Sequence, residues 1–141
     1  MLDSNYNDTK VTSQNSATVA NETQRRIFEE RLPKHNATAA LGYDLGRFSV
    51  NLNGRYYGPW TDSSGNATGD IFQRFGSMVL FDASLSARLG EHVGLTIGAE
   101  NLFDSYPDEA TFQANRGLIY SRNAPYDTDG GLYYVRLGLD F

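Results

Sequence analysis

The chain has 141 residues, enough for one domain, and carries 12 lysine and arginine residues against 17 acidic ones, for a net charge of −5. This acidic balance argues against a nucleic-acid-binding protein, which usually carries a basic patch. The absence of cysteine excludes a disulfide framework and a thiolate metal site. No apolar run approaches the ~20 residues of a transmembrane helix, but a transmembrane β-barrel alternates apolar and polar residues and needs no such run.

Alternation of apolar and polar residues runs through most of the chain and predicts antiparallel β-strands. In chain order, we expect strands over about 5–12, 36–45, 48–58, 77–89, 93–104 and 132–141. The first of these segments alternates least regularly, and the last alternates most clearly. The apolar positions of the last segment are Tyr133, Val135, Leu137, Leu139 and Phe141.

The connections between these strands are alternately short and long. The sequences Gly46-Arg47 and Gly-Glu-His at 90–92 predict tight hairpin turns. The segments at about 13–35, 59–76 and 105–131 are long loops, and loops of that length are usually functional or disordered.

Residues 20–36 contain a candidate for a short helix, which Pro33 would end. Its only large apolar residues are Ile27, Phe28 and Leu32. We therefore expect a solvated turn within a long loop rather than a helix.

The predicted fold class is all-β, an antiparallel meander of five to six strands with short turns at one end and long loops at the other. Bacterial outer-membrane barrels have this arrangement, with the short turns in the periplasm. A soluble β-barrel or sandwich, with its apolar faces packed together, remains open on the alternation alone. In a membrane barrel the polar face would line a wet lumen as a ladder of salt bridges and hydrogen bonds. Its charged residues are Arg55, Asp82, Arg88, Glu100, Arg136 and Asp140.

One stretch resembles a specific sequence motif in addition to the alternation of a strand. Residues 98–108, GAENLFDSYPD, resemble the Gly-x-x-Asn-Leu-Phe-Asp signature, with its following tyrosine, near the end of the barrel of TonB-dependent receptors. Other stretches resemble strands around this signature in the same order. They are LPKHNATAALGYDL (32–45), RYYGPWTD (55–62), MVLFDASLSARL (78–89) and LYYVRLGLDF (132–141). The resemblance covers about residues 32–141.

The resemblance implies that residues 1–141 are the C-terminal segment of a 22-stranded transmembrane β-barrel in the bacterial outer membrane, either a truncated product or a fragment. The family's plug domain and TonB box have no counterpart here. The implied partners are outer-membrane lipid, the barrel-assembly machinery, the rest of the receptor and, through the plug, TonB; no nucleic acid is expected. The final strand, with Tyr133, Val135, Leu137, Leu139 and Phe141, is similar to the signal that the assembly machinery reads.

The implied function is import of a scarce ligand, such as a ferric siderophore, cobalamin or a saccharide, without catalysis. We expect ligand contacts in the long loops, where aromatic and charged residues mix. The candidates are Trp60, Asp62, Phe112, Arg116, Tyr120, Arg122, Tyr126 and Asp127. Two alternatives stay open: a soluble β-barrel or sandwich that binds a small ligand, and a small stand-alone membrane barrel formed by several copies.

We expect no cofactor and no metal site. His35 and His92 fall at opposite ends of the predicted strands, which disfavours a shared metal. The sequence YDTDGG at 126–131 lacks the further oxygen ligands and the late glutamate of an EF-hand, so we expect a loop turn there.

Overall fold

The computed structural model of the chain describes residues 1–13, 21–66, 69–111 and 117–140, with the backbone alone for 64–66 and 69–70. Its elements, in chain order, are β1 (Leu2–Tyr6), α1 (Glu22–Glu30), β2 (His35–Leu45), β3 (Phe48–Tyr57), β4 (Trp60–Asn66), β5 (Gly69–Phe75), β6 (Met78–Arg88), β7 (Val93–Glu100) and β8 (Leu132–Leu139).

Within the described residues, six strands form one antiparallel sheet in the order β1-β2-β3-β6-β7-β8. β4 and β5 form a separate hairpin inserted between β3 and β6. The predicted all-β class and antiparallel meander are confirmed. The three long connections leave the sheet at one end, which we call the loop end, and the two short turns lie at the other.

The short turns form as the sequence predicts. Leu45 pairs with Phe48, so the Gly46-Arg47 turn has two residues. Gly46 has a φ of +59°, a left-handed backbone that glycine adopts at no steric cost. The second turn is closed by the backbone N–H of Leu89, which donates to the Val93 carbonyl at 2.9 Å.

The register places the alternating apolar residues of neighbouring strands on one side of the sheet, which we call the apolar face. Successive pairs carry one of its rows across five strands: Tyr43, Val50, Leu85, Ile97 and Val135. Val135 is 72% exposed, and Leu85 is 39% exposed although it lies on a central strand. A soluble sandwich would bury this face, yet no second layer of described helices or strands packs against the sheet.

The opposite side, the polar face, is held together by side-chain contacts between strands. Arg55 donates to Asp82 at 3.0 Å, and Asn53 donates to the same carboxylate at 3.2 Å. Further along, the hydroxyls of Ser86 and Thr96 are 2.8 Å apart. Such cross-strand pairs stabilise a sheet whose polar face is wet.

Three strands differ from the expected bounds by two or more residues at an end, and the others by at most one. β1 covers Leu2–Tyr6 instead of 5–12. β7 ends at Glu100 instead of 104, because Asn101 has a φ of 48° and turns the chain out of the strand. β8 covers Leu132–Leu139, and Phe141 lies outside the described residues.

The expected loop at 59–76 contains the β4–β5 hairpin. Trp60 pairs with Phe75 and Thr61 with Arg74, so successive pairs point to opposite faces of the hairpin. The Trp60–Phe75 pair enters a small core with Met78, Leu80, Ala110 and Tyr126. The hairpin does not show an apolar–polar alternation in the sequence, because the positions that face the core include both aromatic and acidic residues.

The prediction of a solvated turn within 20–36 is wrong, because Glu22–Glu30 form helix α1. Asn21 caps the helix, with its side chain accepting the Gln24 backbone N–H at 2.9 Å. The helix has few apolar residues, and ion pairs between side chains one helical turn apart stabilise it instead. They join Arg25 to Glu22 and Glu29 at 2.6 and 3.1 Å, and Arg26 to Glu22 and Glu30 at 3.3 and 3.8 Å.

Candidate functional site

The long connections meet beyond the loop end and form what we call the loop assembly. It consists of α1, the β4–β5 hairpin and the described parts of the segment between β7 and β8 (101–111 and 117–131). Its core begins with the stacked rings of Trp60 and Phe75, whose centroids are 4.5 Å apart. The core lies on the side of the polar face, because Met78, Leu80 and Tyr57 reach it from inward positions of β6 and β3.

A buried carboxylate joins the three parts of the loop assembly. Asp62 is fully buried at 0% exposure. Its oxygens accept the Ser121 hydroxyl at 2.6 Å, the Asn123 amide at 3.0 Å and the Ser63 backbone N–H at 2.9 Å. Arg31, just after α1, donates from Nη2 at 3.3 Å. Because a buried charge without partners is costly, these donors make Asp62 a fixed joint between hairpin, helix and long loop.

Tyr126 joins the long loop to the same core. The Trp60 indole N–H donates to the Tyr126 hydroxyl at 3.2 Å, and Tyr126 meets the Tyr57 ring edge-on at 5.2 Å. Burial raises the pKa of Tyr126, and the hydrogen bond from Trp60 opposes that shift. The phenol therefore stays neutral at physiological pH and acts as a packing and hydrogen-bonding group.

Three further hydrogen bonds fix the first part of the long loop on β5 and on the residue that follows it. The Gln73 amide donates to the Glu109 carbonyl at 2.7 Å and accepts the Thr111 backbone N–H at 3.0 Å. The Asp108 carboxylate accepts the Gly76 backbone N–H at 2.7 Å. The long loop is thus bonded to the hairpin near the end of β5 and at the residue that follows it.

The Asn-Leu-Phe-Asp stretch builds the turn that leads out of β7. Asn101 has the left-handed backbone that asparagine tolerates better than most residues, and its amide accepts from and donates to the Ser105 backbone at 2.9 and 2.8 Å. The backbone N–H of Asn101 also donates to Asp82 at 3.0 Å. Asp104 accepts the Gly131 N–H at 2.7 Å, which ties this turn to the start of β8.

The structure separates the predicted ligand-contact residues into two groups. Trp60, Asp62 and Tyr126 are buried in the loop assembly, where they hold its parts together. Tyr120 is half-buried and stacks on Tyr106 at 6.0 Å, while Arg122 and Asp127 are exposed. Phe112 and Arg116 lie outside the described residues. The surface open to a ligand therefore includes Tyr120, Arg122 and Asp127.

Sequence reasoning missed the partners of the buried joint. Ser121 and Asn123 lie about sixty residues from Asp62, and no local pattern marks them as its donors. It also missed Arg31, which stands next to the helix that was expected to be a turn. Only the folded arrangement brings these donors to one carboxylate.

The 126–131 segment is a turn, as the sequence predicts. Asp127 accepts the Asp129 backbone N–H at 2.9 Å, which is an Asx-turn contact. Within 1–13, 21–66, 69–111 and 117–140, no group of three histidine or acidic residues is arranged to hold a metal ion. In the same residues, no helix is long and apolar enough to span a membrane.

The three arginines of the polar face have separate partners. Arg55 pairs with Asp82, Arg88 donates to the Gly46 carbonyl at 3.2 Å, and Arg136 lies 5.5 Å from the Tyr134 ring centroid. On β8 the apolar-face residues Tyr133, Val135, Leu137 and Leu139 are 53–72% exposed. The polar face thus has contacts from Arg55 and Asp82 to the short turn at Gly46, whereas none of the described helices or strands covers the apolar face.

A family model described as TonB dependent receptor-like, beta-barrel, matches residues 2–102, which include β1 to β7 and the Asn-Leu part of the turn. No curated protein matches the chain.

Proposed function

Since the chain belongs to the family of TonB-dependent receptor-like β-barrels, we propose that it forms wall and loops of an outer-membrane transporter that imports a scarce ligand. Ferric siderophores, cobalamin and saccharides are the candidate ligands. The family implies a place in the bacterial outer membrane, and transport without catalysis. Energy would come from TonB, passed through a plug domain held inside the complete barrel of 22 strands.

The bare apolar face is the observation that carries this proposal. In the outer membrane, lipid would cover that face and the polar face would line the lumen. Lipid contact accounts for exposed large side chains such as Val135, at 72%, and Leu137, at 61%, which water would penalise. Because lipid offers no hydrogen bonds, the outer edges of β1 and β8 require further strands, from the rest of the receptor or from other copies.

The final strand has a second proposed role, as the signal for insertion of the chain into the outer membrane. Tyr133, Val135, Leu137 and Leu139 form its apolar row, and Phe141 continues the alternation in the sequence. We expect the barrel-assembly machinery to read this row. Phe141→Ser should lower the amount of chain in the outer membrane, whereas Asp140→Ser, on the other face, should leave that amount unchanged. Equal amounts for both variants would refute this part of the proposal.

We place ligand contacts on the open side of the loop assembly, at Tyr120, Arg122 and Asp127. The support is that these residues reach the surface of a loop held by the buried contacts of Ser121, Asn123 and Tyr126, so the loop that carries them is in place before a ligand arrives. Such preorganisation reduces the entropy lost on binding. Phe112 and Arg116 remain sequence-based candidates for the same surface.

Uptake by whole cells tests the proposal. Cells without the gene would be complemented with the wild type or with a variant carrying Arg122→Ala and Asp127→Ala, and then given a labelled ferric hydroxamate, cyanocobalamin or maltodextrin. Arg47→Ala, in the turn at the far end of the sheet, is the matched control. We expect uptake of one ligand to fall roughly tenfold or more in the loop variant only. Gene-independent uptake of all three, or an equal loss in the control, would overturn the proposal.

A further inference from the structure

A basic groove of about 610 Å³ lies between α1, the β4–β5 hairpin and the start of β2. Its lining includes Arg26, Glu30, Lys34, His35, Phe72 and Arg74. Three cationic groups thus face one carboxylate, in a chain whose net charge is −5. The groove is a local reversal of the protein's charge.

The three cations of the groove differ in how far they are neutralised. Lys34 is paired with Asp8, with Nζ and Oδ1 2.5 Å apart. Arg26 shares Glu22 and Glu30 and rests over the Phe72 ring, 4.2 Å from its centroid. Arg74 is exposed and has no ion pair or hydrogen bond with the described residues. Its guanidinium is therefore available to an anion in the groove.

The pairing of the hairpin shows which way Arg74 points. The Trp60–Phe75 pair enters the core, which lies on the side of the polar face. Because neighbouring positions of a strand alternate, Arg74 and its partner Thr61 point to the opposite side. That is the side on which the apolar face continues down the sheet.

The position of His35 shows where the groove lies along the strands of the sheet. It is the first residue of β2 and pairs with Tyr6, and their rings are 4.9 Å apart. It belongs to the same alternate positions as Ala37, Ala39 and Leu41, so it stands at the loop-end rim of the apolar face. The groove therefore lies just beyond the apolar band, where a membrane's head groups would be.

We infer that the basic groove binds the phosphate of a membrane lipid head group at the rim of the barrel. A guanidinium matches a phosphate with two parallel hydrogen bonds, and basic pockets next to apolar surface recognise anionic head groups. Arg74 would take the phosphate, and Arg26, held over Phe72, would flank it. The inference rests on the proposed membrane position of the barrel and is independent of which ligand is imported.

The single tryptophan provides the readout, because Trp60 borders the groove beside Thr61 although its ring points into the core. The full chain in uncharged detergent micelles would be titrated with phosphatidic acid, and Trp60 emission followed. Phosphatidylcholine micelles and free glycerol 3-phosphate are the comparison probes. The test variants are Arg74→Gln and Arg26→Gln, and Arg47→Gln at the far end of the sheet is the matched control. Blue-shifted emission before titration would establish that each variant keeps Trp60 buried.

We expect saturable binding of phosphatidic acid that weakens with salt and falls roughly tenfold or more in Arg74→Gln. Arg47→Gln should bind like the wild type, and phosphatidylcholine should bind more weakly. Glycerol 3-phosphate binding as tightly as the lipid would overturn the lipid as source and indicate a soluble anion. Unchanged lipid binding in Arg74→Gln, or equal loss in Arg47→Gln, would overturn the groove as the site. None of these outcomes depends on ligand uptake.

Discussion

A charge on the apolar face should be far more damaging than the same charge one residue away on the polar face. β6 has 11 residues, and at ~3.4 Å per residue with a tilt of ~40° it rises by roughly 26 Å, the height of a barrel's apolar band. Leu85 then lies within about 5 Å of mid-height. Leu85→Arg would place a guanidinium near the centre of the bilayer, at a cost of about 2–4 kcal/mol, a roughly 30- to 700-fold loss in the ratio of folded to unfolded protein.

Ser84→Arg is the matched control, because Ser84 borders a hollow of about 350 Å³ on the polar face that Asp82 and Glu100 also line. An arginine there has water, room and two carboxylates. Urea titration of the full chain in phosphatidylcholine vesicles, followed by Trp60 emission, measures both variants. We expect a lower midpoint for Leu85→Arg and a midpoint near the wild type for Ser84→Arg. Equal midpoints, or the larger loss in Ser84→Arg, would refute the assigned facing of the strand.

Three further predictions concern the loop assembly. Asp62→Ala leaves buried donors unpaired and should lower the free energy of unfolding by about 2–4 kcal/mol. Asp127→Ala, at an exposed turn, should change the free energy of unfolding little. Limited proteolysis of the loops would show the difference, and equal cleavage of both variants would contradict the role of Asp62 in joining the loops. Asn101→Ala should destabilise more than Asn101→Gly, because glycine keeps the left-handed backbone, and urea titration would rank them; the reverse order would mean that backbone strain is unimportant there. Hydrogen bonding from Arg25 lowers the pKa of Glu22 to about 2, below its usual 4.5, so this group's contribution to α1 should persist above pH 4.5 and fade as the pH falls toward 2. Circular dichroism should show this acid transition weakened in Glu22→Gln, and an unchanged transition would remove Glu22 as its source.

Strand positions were predictable because the membrane-type sheet depends on an alternation that is local in sequence. Leu85, Ile97 and Val135 occupy the alternate positions that place them in one row, and pairing through short turns leaves few other registers. The hairpin was not predictable in this way. Trp60 and Phe75 are stabilised by Tyr126 and Ala110, which arrive from a distant part of the chain.

Helix α1 did leave signals that apolar periodicity overlooks. Asn21 followed three residues later by Gln24 is a helix-start pattern, and acidic and basic residues four apart, such as Glu22 and Arg26, support a polar helix. The burial of Asp62 had no such signal. A loop rich in aromatic and charged residues looks the same in sequence whether those residues contact a ligand or each other. The burial of Asp62 depends on the distant donors Ser121 and Asn123, which only the folded chain brings to it.

The solvent exposure of single positions in the membrane shows directly which face of the sheet meets lipid. Because the chain has no cysteine, single-cysteine variants can be labelled without background. Nitroxide labels would be placed in turn at Ser84, Leu85 and Ser86 of β6 and at Thr96 and Ile97 of β7, in the chain in the outer membrane. If the apolar face lies in lipid, labels at 85 and 97 will collide with oxygen dissolved in lipid, and labels at 84, 86 and 96 will collide with a water-soluble nickel chelate. Equal access of the chelate to all five positions, or the opposite alternation, would contradict a barrel wall with its apolar face in lipid.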